Sequence, residues 1–221
     1  MHLLAVANSR GNENEDDAPS AVYRYNNTTA MFELFQGSFG LDGTNDMEHF
    51  RIGDVDFLAA ANYNVNSVVY RYNATAAAFE SFQEMDTDSA YDWEHFRIGD
   101  DDFIAFANQG LSGISTIYRY NATAGSFQMF QDIPENRVNQ WDHFRVGASD
   151  FLACAISGSQ RGVALYRHNA VAQAFDLVPK VETTSNVLCC KHFRVGDLDF
   201  LACGELDGTI RVMLCNTFCS P

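Results

Sequence analysis

Short apolar segments separated by tight polar turns recur along the chain. Each recurrence contains four segments in a fixed order: His-Phe-Arg-Ile-Gly, Phe-Leu-Ala-x-Ala-Asn, Val-Tyr-Arg-Tyr-Asn and Phe-x-x-Phe-Gln. Each segment has about five residues, which is the length of a β-strand and not of a helix. We therefore predict four strands in each copy and name them A, B, C and D in that order.

Two markers define the period of the repeat. The His-Phe-Arg and Tyr-Arg markers begin at His49, His95, His143 and His192 and at Tyr23, Tyr70, Tyr118 and Tyr166. Both recur about every 48 residues, which is typical of repeat architectures. The predicted repeats span approximately residues 1–37, 48–84, 94–131, 142–178 and 191–216. The first copy lacks strand A, and the last lacks strand D and has a degenerate strand C at 210–214. The chain thus holds about four and a half repeats.

The turns between the predicted strands indicate how each copy folds. The A–B and C–D connections are short and rich in Gly, Asn and Asp, the residues that tolerate tight hairpins. Strands A to D therefore form an antiparallel meander. One such sheet cannot bury both of its faces alone, and radial stacking of sheets is the propeller solution. We predict an all-β fold, a β-propeller-type array of four-stranded antiparallel blades that forms a single domain over residues 1–221.

These four motifs resemble the epilepsy-associated repeat, also called EAR or EPTP, over nearly the whole chain. The resemblance implies a secreted or cell-surface protein whose propeller binds other proteins and catalyses nothing. Propellers of this family usually have seven blades, and the present chain has too few strands for that number. We therefore expect a fragment or an incomplete arc, whose open blade edges promote self-association.

Charge and hydropathy exclude several other partners. The chain has 29 acidic and 14 basic residues, for a net charge of −15. A protein of this charge repels nucleic acid and anionic membrane surfaces. Its apolar stretches are also far shorter than the roughly 20 residues that span a bilayer. The N-terminal apolar run lacks the basic n-region of a signal peptide and is predicted to be a strand. We expect neither nucleic-acid binding nor membrane insertion.

No cofactor site, metal site or catalytic group emerges from the repeat. The repeated histidines form a ring in a propeller, but equivalent positions on neighbouring blades lie on the order of 10 Å apart, too far to share a zinc ion with bonds of about 2 Å. The acidic A–B turns lack the ligand spacing of an EF-hand. The six cysteines contain no CxxC pair. We align Cys154 and Cys203 with Ala61 and Ala107 of strand B and predict that both are core residues.

Most of the arginines fall at equivalent positions of strands A and C. Carboxylates lie near both positions in the sequence, and a buried guanidinium needs a partner. We therefore interpret these arginines as internal ion-pair partners that hold the blades in register. Replacement of Arg71 or Arg119 by alanine is then predicted to cost a few kcal/mol.

The connections between strands divide into two groups. The A–B and C–D turns are tight, nearly identical, and include every N-glycosylation sequon, at Asn26, Asn27, Asn73 and Asn121. The D–A and B–C connections are long and divergent, and one of them carries an acidic run of Glu13, Glu15, Asp16 and Asp17. Loops on a rigid scaffold are the usual place of recognition. We predict that another protein, extracellular or at the cell surface, binds through the D–A and B–C loops and the acidic run.

Two alternatives stay open at this point. One is a propeller enzyme or a carbohydrate-binding lectin with its site at the central channel, since the fold alone permits either. The other is that the sequons serve only as turn residues, because Asn-Ala-Thr also makes a good turn. The concentration of variation in the loops favours an interaction module over an enzyme.

Overall fold

The computed structural model describes residues 2–9, 19–37, 39, 43–110 and 114–215. This part of the chain contains 18 strands in five antiparallel sheets. Sheet one consists of β1 (Leu3–Val6), β2 (Ala21–Asn26) and β3 (Met31–Gly37). Sheet two consists of β4 (Thr44–Ile52), β5 (Val55–Asn62), β6 (Ser67–Asn73) and β7 (Ala78–Met85).

The remaining three sheets follow in chain order. Sheet three consists of β8 (Ala90–Ile98), β9 (Asp101–Asn108), β10 (Ser115–Asn121) and β11 (Ser126–Ile133). Sheet four consists of β12 (Val138–Val146), β13 (Ser149–Ile156), β14 (Gly162–Asn169) and β15 (Ala174–Glu182), with a 3-10 turn at Gly158–Gln160. Sheet five consists of β16 (Val187–Val195), β17 (Leu198–Glu205) and β18 (Ile210–Leu214). The predicted fold class is confirmed: an all-β chain with several four-stranded antiparallel sheets, consistent with a β-propeller-like array.

Each sheet is a meander in which every strand pairs with its neighbours in sequence. Sheets two to four contain strands A to D as predicted, sheet one contains B, C and D, and sheet five contains A, B and C. Two-residue turns join A to B, and a glycine with positive φ begins each of them, for example Gly53 at 59° and Gly99 at 62°. An L side chain rarely adopts this conformation, so the glycine permits the tight hairpin.

Strand A is longer than the five residues predicted from its motif. It has nine residues in each of sheets two to five and begins well before the His-Phe-Arg marker, at Thr44, Ala90, Val138 and Val187. Much of what the sequence presents as divergent D–A loop is therefore strand. The D–A loops between sheets two and five are only residues 86–89, 134–137 and 183–186. The prediction of long D–A loops is wrong for these three connections.

The chain divides into two compact units, Met1–Trp93 and Glu94–Pro221. The boundary falls within β8. In the first unit, Val22 of sheet one and Leu58 of sheet two share a core with Phe39 and Phe79. Strand B of sheet two is buried on both faces, and its three alanines at positions 59 to 61 are completely covered. Small residues at these positions leave room for close packing around the middle of the sheet.

The second unit contains two cores. One joins sheets three and four and includes Phe96, Trp141 and Leu152, and the other joins sheets four and five and includes Phe144 and Leu201. The repeated position of Trp93, Trp141 and Cys190 is buried in all three sheets and is therefore a packing position. Strands A and B supply much of each core, and strands C and D add residues such as Ile117 and Phe175.

Polar side chains of strand A link one sheet to the next. In the second unit, Glu94 accepts a hydrogen bond from the backbone N–H of His143 (3.0 Å), and Asp142 accepts one from the backbone N–H of His192 (2.7 Å). In the first unit, Asp46 accepts a hydrogen bond from the backbone N–H of Trp93 at 3.2 Å. These carboxylates fix the position of successive inner strands, a role different from the arginine pairing predicted for the carboxylates near strand A.

The glutamine of the Phe-x-x-Phe-Gln motif links the outer strands. The side-chain amide of Gln131 donates to the carbonyl of Phe175 (2.9 Å) and accepts from its N–H (2.7 Å). Gln36 makes the same pair of hydrogen bonds with Phe79 in the first unit, each at 2.8 Å. A primary amide is suited to this task because it offers one donor and one acceptor side by side.

Sheets one and five each have three strands in the described part of the chain, and both expose apolar residues. On sheet one these are Leu4, Val6, Met31, Phe32 and Leu34, and on sheet five they include Phe193, Val195, Leu198, Ile210 and Val212. Exposed apolar faces and unpaired strand edges favour association. Self-association through these sheets stays a prediction.

Candidate interaction surface

In sheets two and three, the asparagine that closes strand B holds the end of the sheet that carries the B–C loop. In sheet two, Asn62 is 1% exposed, and its Nδ2 donates to the carbonyl of Asn66 at 3.0 Å. Its Oδ1 accepts a hydrogen bond from the hydroxyl of Thr44 at 3.0 Å, and its backbone N–H donates to the hydroxyl of Ser67 at 3.1 Å. Asn108 repeats the last contact with Ser115 in sheet three. The asparagine of the repeat motif is thus a loop-closing residue.

The B–C and D–A loops of sheet two are each hydrogen-bonded to a neighbouring strand. The backbone N–H of Ser67 donates to the hydroxyl of Thr87 at 3.0 Å, and Nδ2 of Asn66 donates to Oε1 of Glu84 at 2.8 Å. Side-chain hydrogen bonds therefore brace both loops against the strands. A braced loop loses little conformational entropy when it binds a partner.

An aromatic pair lies at this braced end of sheet two. Tyr63 follows strand B and Tyr91 lies near the start of β8, and their ring centroids are 6.0 Å apart in an edge-to-face arrangement. Tyr63 is 45% exposed, Tyr91 37%, and Val65 in the same loop 37%. We name these three residues the tyrosine patch. Sequence reasoning missed it, because neither tyrosine belongs to a repeat motif; the signal was their position at the ends of strands.

The corresponding end of sheet four carries a charged cluster. Lys180 and Glu135 form an ion pair at 2.9 Å, with the carboxylate only 9% exposed, and the hydroxyl of Tyr166 donates to the same carboxylate at 3.4 Å. A polar cavity of about 550 Å³ adjoins the pair, lined by Ser159 and Arg161 from the B–C loop. Neither Glu135 nor Lys180 belongs to a repeat motif, and the sequence analysis did not predict this pair.

Two titratable groups near this cluster are poor nucleophiles. Burial raises the pKa of the Cys154 thiol well above its usual range, and the charge of Glu135 raises it further. Burial also raises the pKa of Tyr166, again assisted by Cys154 and Glu135. Since the thiolate is the nucleophilic form of cysteine, Cys154 is inert near neutral pH. It is a core residue, as predicted.

The opposite end of each sheet carries the C–D turns and the sequons. Oδ1 of Asn73 accepts hydrogen bonds from the backbone N–H groups of Thr75 (2.9 Å) and Ala76 (3.2 Å), and its Nδ2 donates to Glu80 at 2.9 Å. The same contacts recur at Asn26, Asn121 and Asn169. Asn169 forms this turn although Val171 replaces the threonine of the sequon. The turn therefore requires the asparagine and not the threonine.

The repeated histidines form clamps with the aspartate at the second position of strand B. In sheet three, Asp102 contacts Nε2 of His95 at 3.1 Å and Nε of Arg97 at 3.4 Å. The same arrangement recurs in the other sheets that have a strand A, at His49, His143 and His192. His143 also stacks on Phe96, with centroids 4.7 Å apart. The histidines thus have a structural role, and among the described residues no group of three potential ligands could hold a metal ion.

The prediction that the strand C arginines are internal ion-pair partners is wrong for Arg71 and Arg119, whereas Arg211 does pair with the buried carboxylate of Glu205 at 3.0 Å. Arg71 is exposed, and Arg119 is 43% exposed, with its nearest carboxylate, that of Asp101, 3.8 Å away. Both lie on the outer part of strand C near the turn, where water solvates the guanidinium. Strand A arginines are exposed as well, for example 56% at Arg97.

Replacement of Arg71 or Arg119 by alanine is therefore expected to change the free energy of unfolding by no more than about 0.5 kcal/mol, as is typical of surface sites and exposed ion pairs. Urea denaturation followed by circular dichroism measures this change. Asp142→Ala serves as the contrasting variant, since its side chain is 1% exposed and accepts a backbone hydrogen bond. A loss of 2 kcal/mol or more at either arginine would restore the original interpretation.

The positions and pairing of the cysteines differ from what the alignment of the repeats predicts. Cys190 and Cys203 lie opposite each other on β16 and β17 and form a disulfide. The same register places Cys154 opposite Trp141 and Ala60 opposite Met47. Cys154 and Cys203 are therefore equivalent to Ala60, one residue before the predicted alignment with Ala61. Counting the strand register outward from the A–B turn was the signal that could have found this disulfide.

Two histidines make stability depend on pH. Burial lowers the pKa of His143 and of His168 from 6.5, although the charge of Asp150 opposes the change at both. The unfolded chain therefore takes up protons more readily than the folded one. This contribution to stability is fully present above pH 6.5 and is lost as pH falls from there toward the folded pKa.

His168→Tyr tests this dependence. His168 occupies the position of Tyr25, Tyr72 and Tyr120, and its ring lies 5.3 Å from that of Phe175, a distance that the tyrosines repeat with their own partners. We expect wild type to lose more unfolding free energy between pH 7.5 and pH 5.5 than His168→Tyr. Equal losses in wild type and His168→Tyr would contradict the expectation.

The predicted acidic run and the predicted glycosylation sites differ in whether the structure describes them. Glu13, Glu15, Asp16 and Asp17 lie outside the described residues. The four sequon asparagines all lie at the turn end and are within the described part.

None of the described segments is a helix long and apolar enough to cross a membrane.

Comparison with known proteins supports the resemblance. The family model of the EPTP domain matches residues 40–73 and 78–121, which cover strands A to C of sheet two and strand D of sheet two through strand C of sheet three. This match supports membership of the EAR/EPTP repeat family, and sheet four repeats the same four-stranded meander outside the matched segments. No curated protein matches the chain.

Proposed function

We propose that this chain is a non-catalytic recognition module that binds another protein through the loop ends of its sheets, where the B–C and D–A loops lie. The observation that carries the proposal is the tyrosine patch, in which Tyr63 on a braced loop and Tyr91 near the start of β8 stay exposed. Tyrosine is enriched at protein interfaces because it offers a large contact area with few rotatable bonds. Membership of the EPTP family supports an interaction role, and the inert state of Cys154 agrees with a chain that has no catalytic function.

An extracellular location is part of the same proposal. The disulfide between Cys190 and Cys203 supports it, because disulfides persist in oxidising compartments and are rare in the cytosol. The sequons support it as well, since Asn73 and Asn121 lie at solvent-exposed turns that do not need the sequon threonine. Glycans at these turns would leave the loop ends uncovered.

Engineered glycans test which end binds the partner. Asn66→Thr creates an acceptor at Asn64 in the B–C loop of sheet two, and Asp207→Asn creates one in the B–C loop of sheet five. Val171→Thr restores the sequon at Asn169 in a C–D turn, where Val171 is 96% exposed, and is the matched control. The variants are secreted from mammalian cells and bound to cell surfaces, and the captured partner is identified by mass spectrometry.

We expect glycans at the loop ends to abolish capture of the partner, and the glycan at Asn169 to leave it intact. Asn66→Thr also removes the hydrogen bond from Asn66 to Glu84, so the same substitution combined with Asn64→Gln, which carries no glycan, separates steric exclusion from loss of that contact. Loss of capture through Val171→Thr alone would refute the proposal. So would full capture by both loop-end variants, provided that a mass shift shows their glycans are present.

A further inference from the structure

The tyrosine patch lies at the end of the first unit where the described charged side chains are carboxylates and not arginines. Carboxylates at this end include Glu84, Asp86, Asp88 and Asp92, from the end of β7, the D–A loop and the start of β8. The arginines in the described part of this unit, Arg24, Arg51 and Arg71, all lie on strands A and C near the opposite, turn end. The exposed aromatic surface is therefore bordered by negative charge without a described lysine or arginine beside it.

The arrangement and exposure of the tyrosine patch indicate the chemistry of a partner that would fit it. The edge-to-face pair of Tyr63 and Tyr91, with Val65 beside it, offers an apolar contact for one aromatic or branched aliphatic side chain. The tyrosine rings also present electron-rich faces to a cation. Carboxylates around such a patch attract a positively charged partner and repel a negatively charged one. An uncharged partner would gain nothing from this border.

We propose that the tyrosine patch binds a cationic segment of the partner protein, in which an aromatic or branched aliphatic anchor is flanked by lysine or arginine. This inference rests on the proposed function and specifies its partner. The anchor packs against Tyr63 and Tyr91, and the flanking cations lie beside Asp86 and Asp88. The hydrogen bonds of Asn62, Asn66 and Ser67 hold the surface in shape before the segment arrives.

Direct binding of defined peptides tests this chemistry. The probe is a fluorescein-labelled peptide, Lys-Lys-Trp-Leu-Lys-Lys with capped ends, and its binding to the full chain is followed by fluorescence anisotropy. One comparison peptide replaces Trp-Leu by Gly-Ser, and the other replaces every lysine by glutamate. We expect the first probe to bind, the peptide without the anchor to bind at least about tenfold more weakly, and the acidic peptide not to bind.

Two pairs of variants locate the binding site. The double variant Tyr63→Ala with Tyr91→Ala should bind the probe at least about tenfold more weakly, since both rings contact the anchor. Asp86→Asn with Asp88→Asn should weaken it several-fold, with a reduced salt dependence. The matched control is Asp54→Asn with Asp100→Asn, which removes the same charge from exposed A–B turns and should leave the affinity unchanged. Circular dichroism verifies that each variant folds.

The outcomes separate this inference from the proposed function. Equal weakening by the two charge pairs would show a non-specific attraction to net charge and overturn the inference, as would tight binding of the peptide without its anchor or no binding of the probe. If loop-end glycans still abolish capture of the natural partner in these cases, the proposed function survives. If the probe binds as expected but the glycans have no effect, the proposed function fails at this surface.

Discussion

Lys180→Met is expected to lower the free energy of unfolding by about 3 kcal/mol or more. The carboxylate of Glu135 is 9% exposed, and its contacts are the ammonium of Lys180 at 2.9 Å and the hydroxyl of Tyr166 at 3.4 Å. Methionine keeps the aliphatic stem of lysine but removes the charge, so the buried carboxylate loses its counter-ion. A stranded buried charge is the costly part of breaking such a pair. Urea denaturation at pH 7 measures the loss.

A second substitution identifies the cause of that loss. Glu135→Gln in the Lys180→Met background removes the stranded charge and keeps an acceptor for Tyr166, so it should recover most of the stability. Arg119→Met is the matched control, because it removes a cation from an exposed pair with Asp101, 43% and 52% exposed, and should cost no more than about 0.5 kcal/mol. A double variant as unstable as Lys180→Met alone would show that packing of the lysine stem, and not charge, determines the effect.

The repeat motifs predict the fold well because each encodes a local requirement. The glycine and aspartate of the A–B turn fix a two-residue hairpin, and that hairpin sets the register along the rest of strands A and B. The continuous apolar run of strand B, with its small side chains, is typical of a strand buried on both faces. From these signals alone follow the meander, its strand order, and the incomplete first and last sheets.

Contacts made between repeats were not predictable in the same way. The exposure of Arg71 depends on how far strand C projects beyond the neighbouring packing, which no motif reports. The early start of strand A is hidden because residues such as Asp46 and Gln140 look like loop residues, although they accept hydrogen bonds from the next inner strand. Polar residues that pair across sheets resemble solvated ones in the sequence.

The candidate site is the least predictable part for a related reason. Repetition reveals what every blade needs, whereas recognition uses what a single blade adds. Tyr63 and Tyr91 come from different repeats, at positions filled elsewhere by other residue types, and only the folded chain brings their rings within 6.0 Å. The sequence analysis predicts recognition by the loop with the acidic run, but only the divergence of that loop supports the prediction.

Gln131→Ala is expected to destabilise the second unit by about 2 kcal/mol. The amide of Gln131 satisfies both the N–H and the carbonyl of Phe175 on the edge of β15, at 2.7 and 2.9 Å. Phe175 is 3% exposed, so water replaces these partners poorly, and an unpaired buried backbone group costs about 1–3 kcal/mol. Gln128→Ala is the matched control, since this exposed side chain of the same strand contacts only the amide of Asn121 among the hydrogen bonds described for it.

Gln131→Glu makes the test specific to the paired hydrogen bonds. At neutral pH the carboxylate accepts from the N–H of Phe175 but repels its carbonyl, so we expect a loss at least as large as that of alanine. A protonated carboxylic acid again offers one donor and one acceptor side by side. Relative to wild type, Gln131→Glu should therefore regain stability as pH falls toward about 4, while Gln131→Ala should not. If Gln131→Ala costs no more than Gln128→Ala, or if the two Gln131 variants respond to pH alike, the glutamine pair does not join the outer strands in the way its geometry indicates.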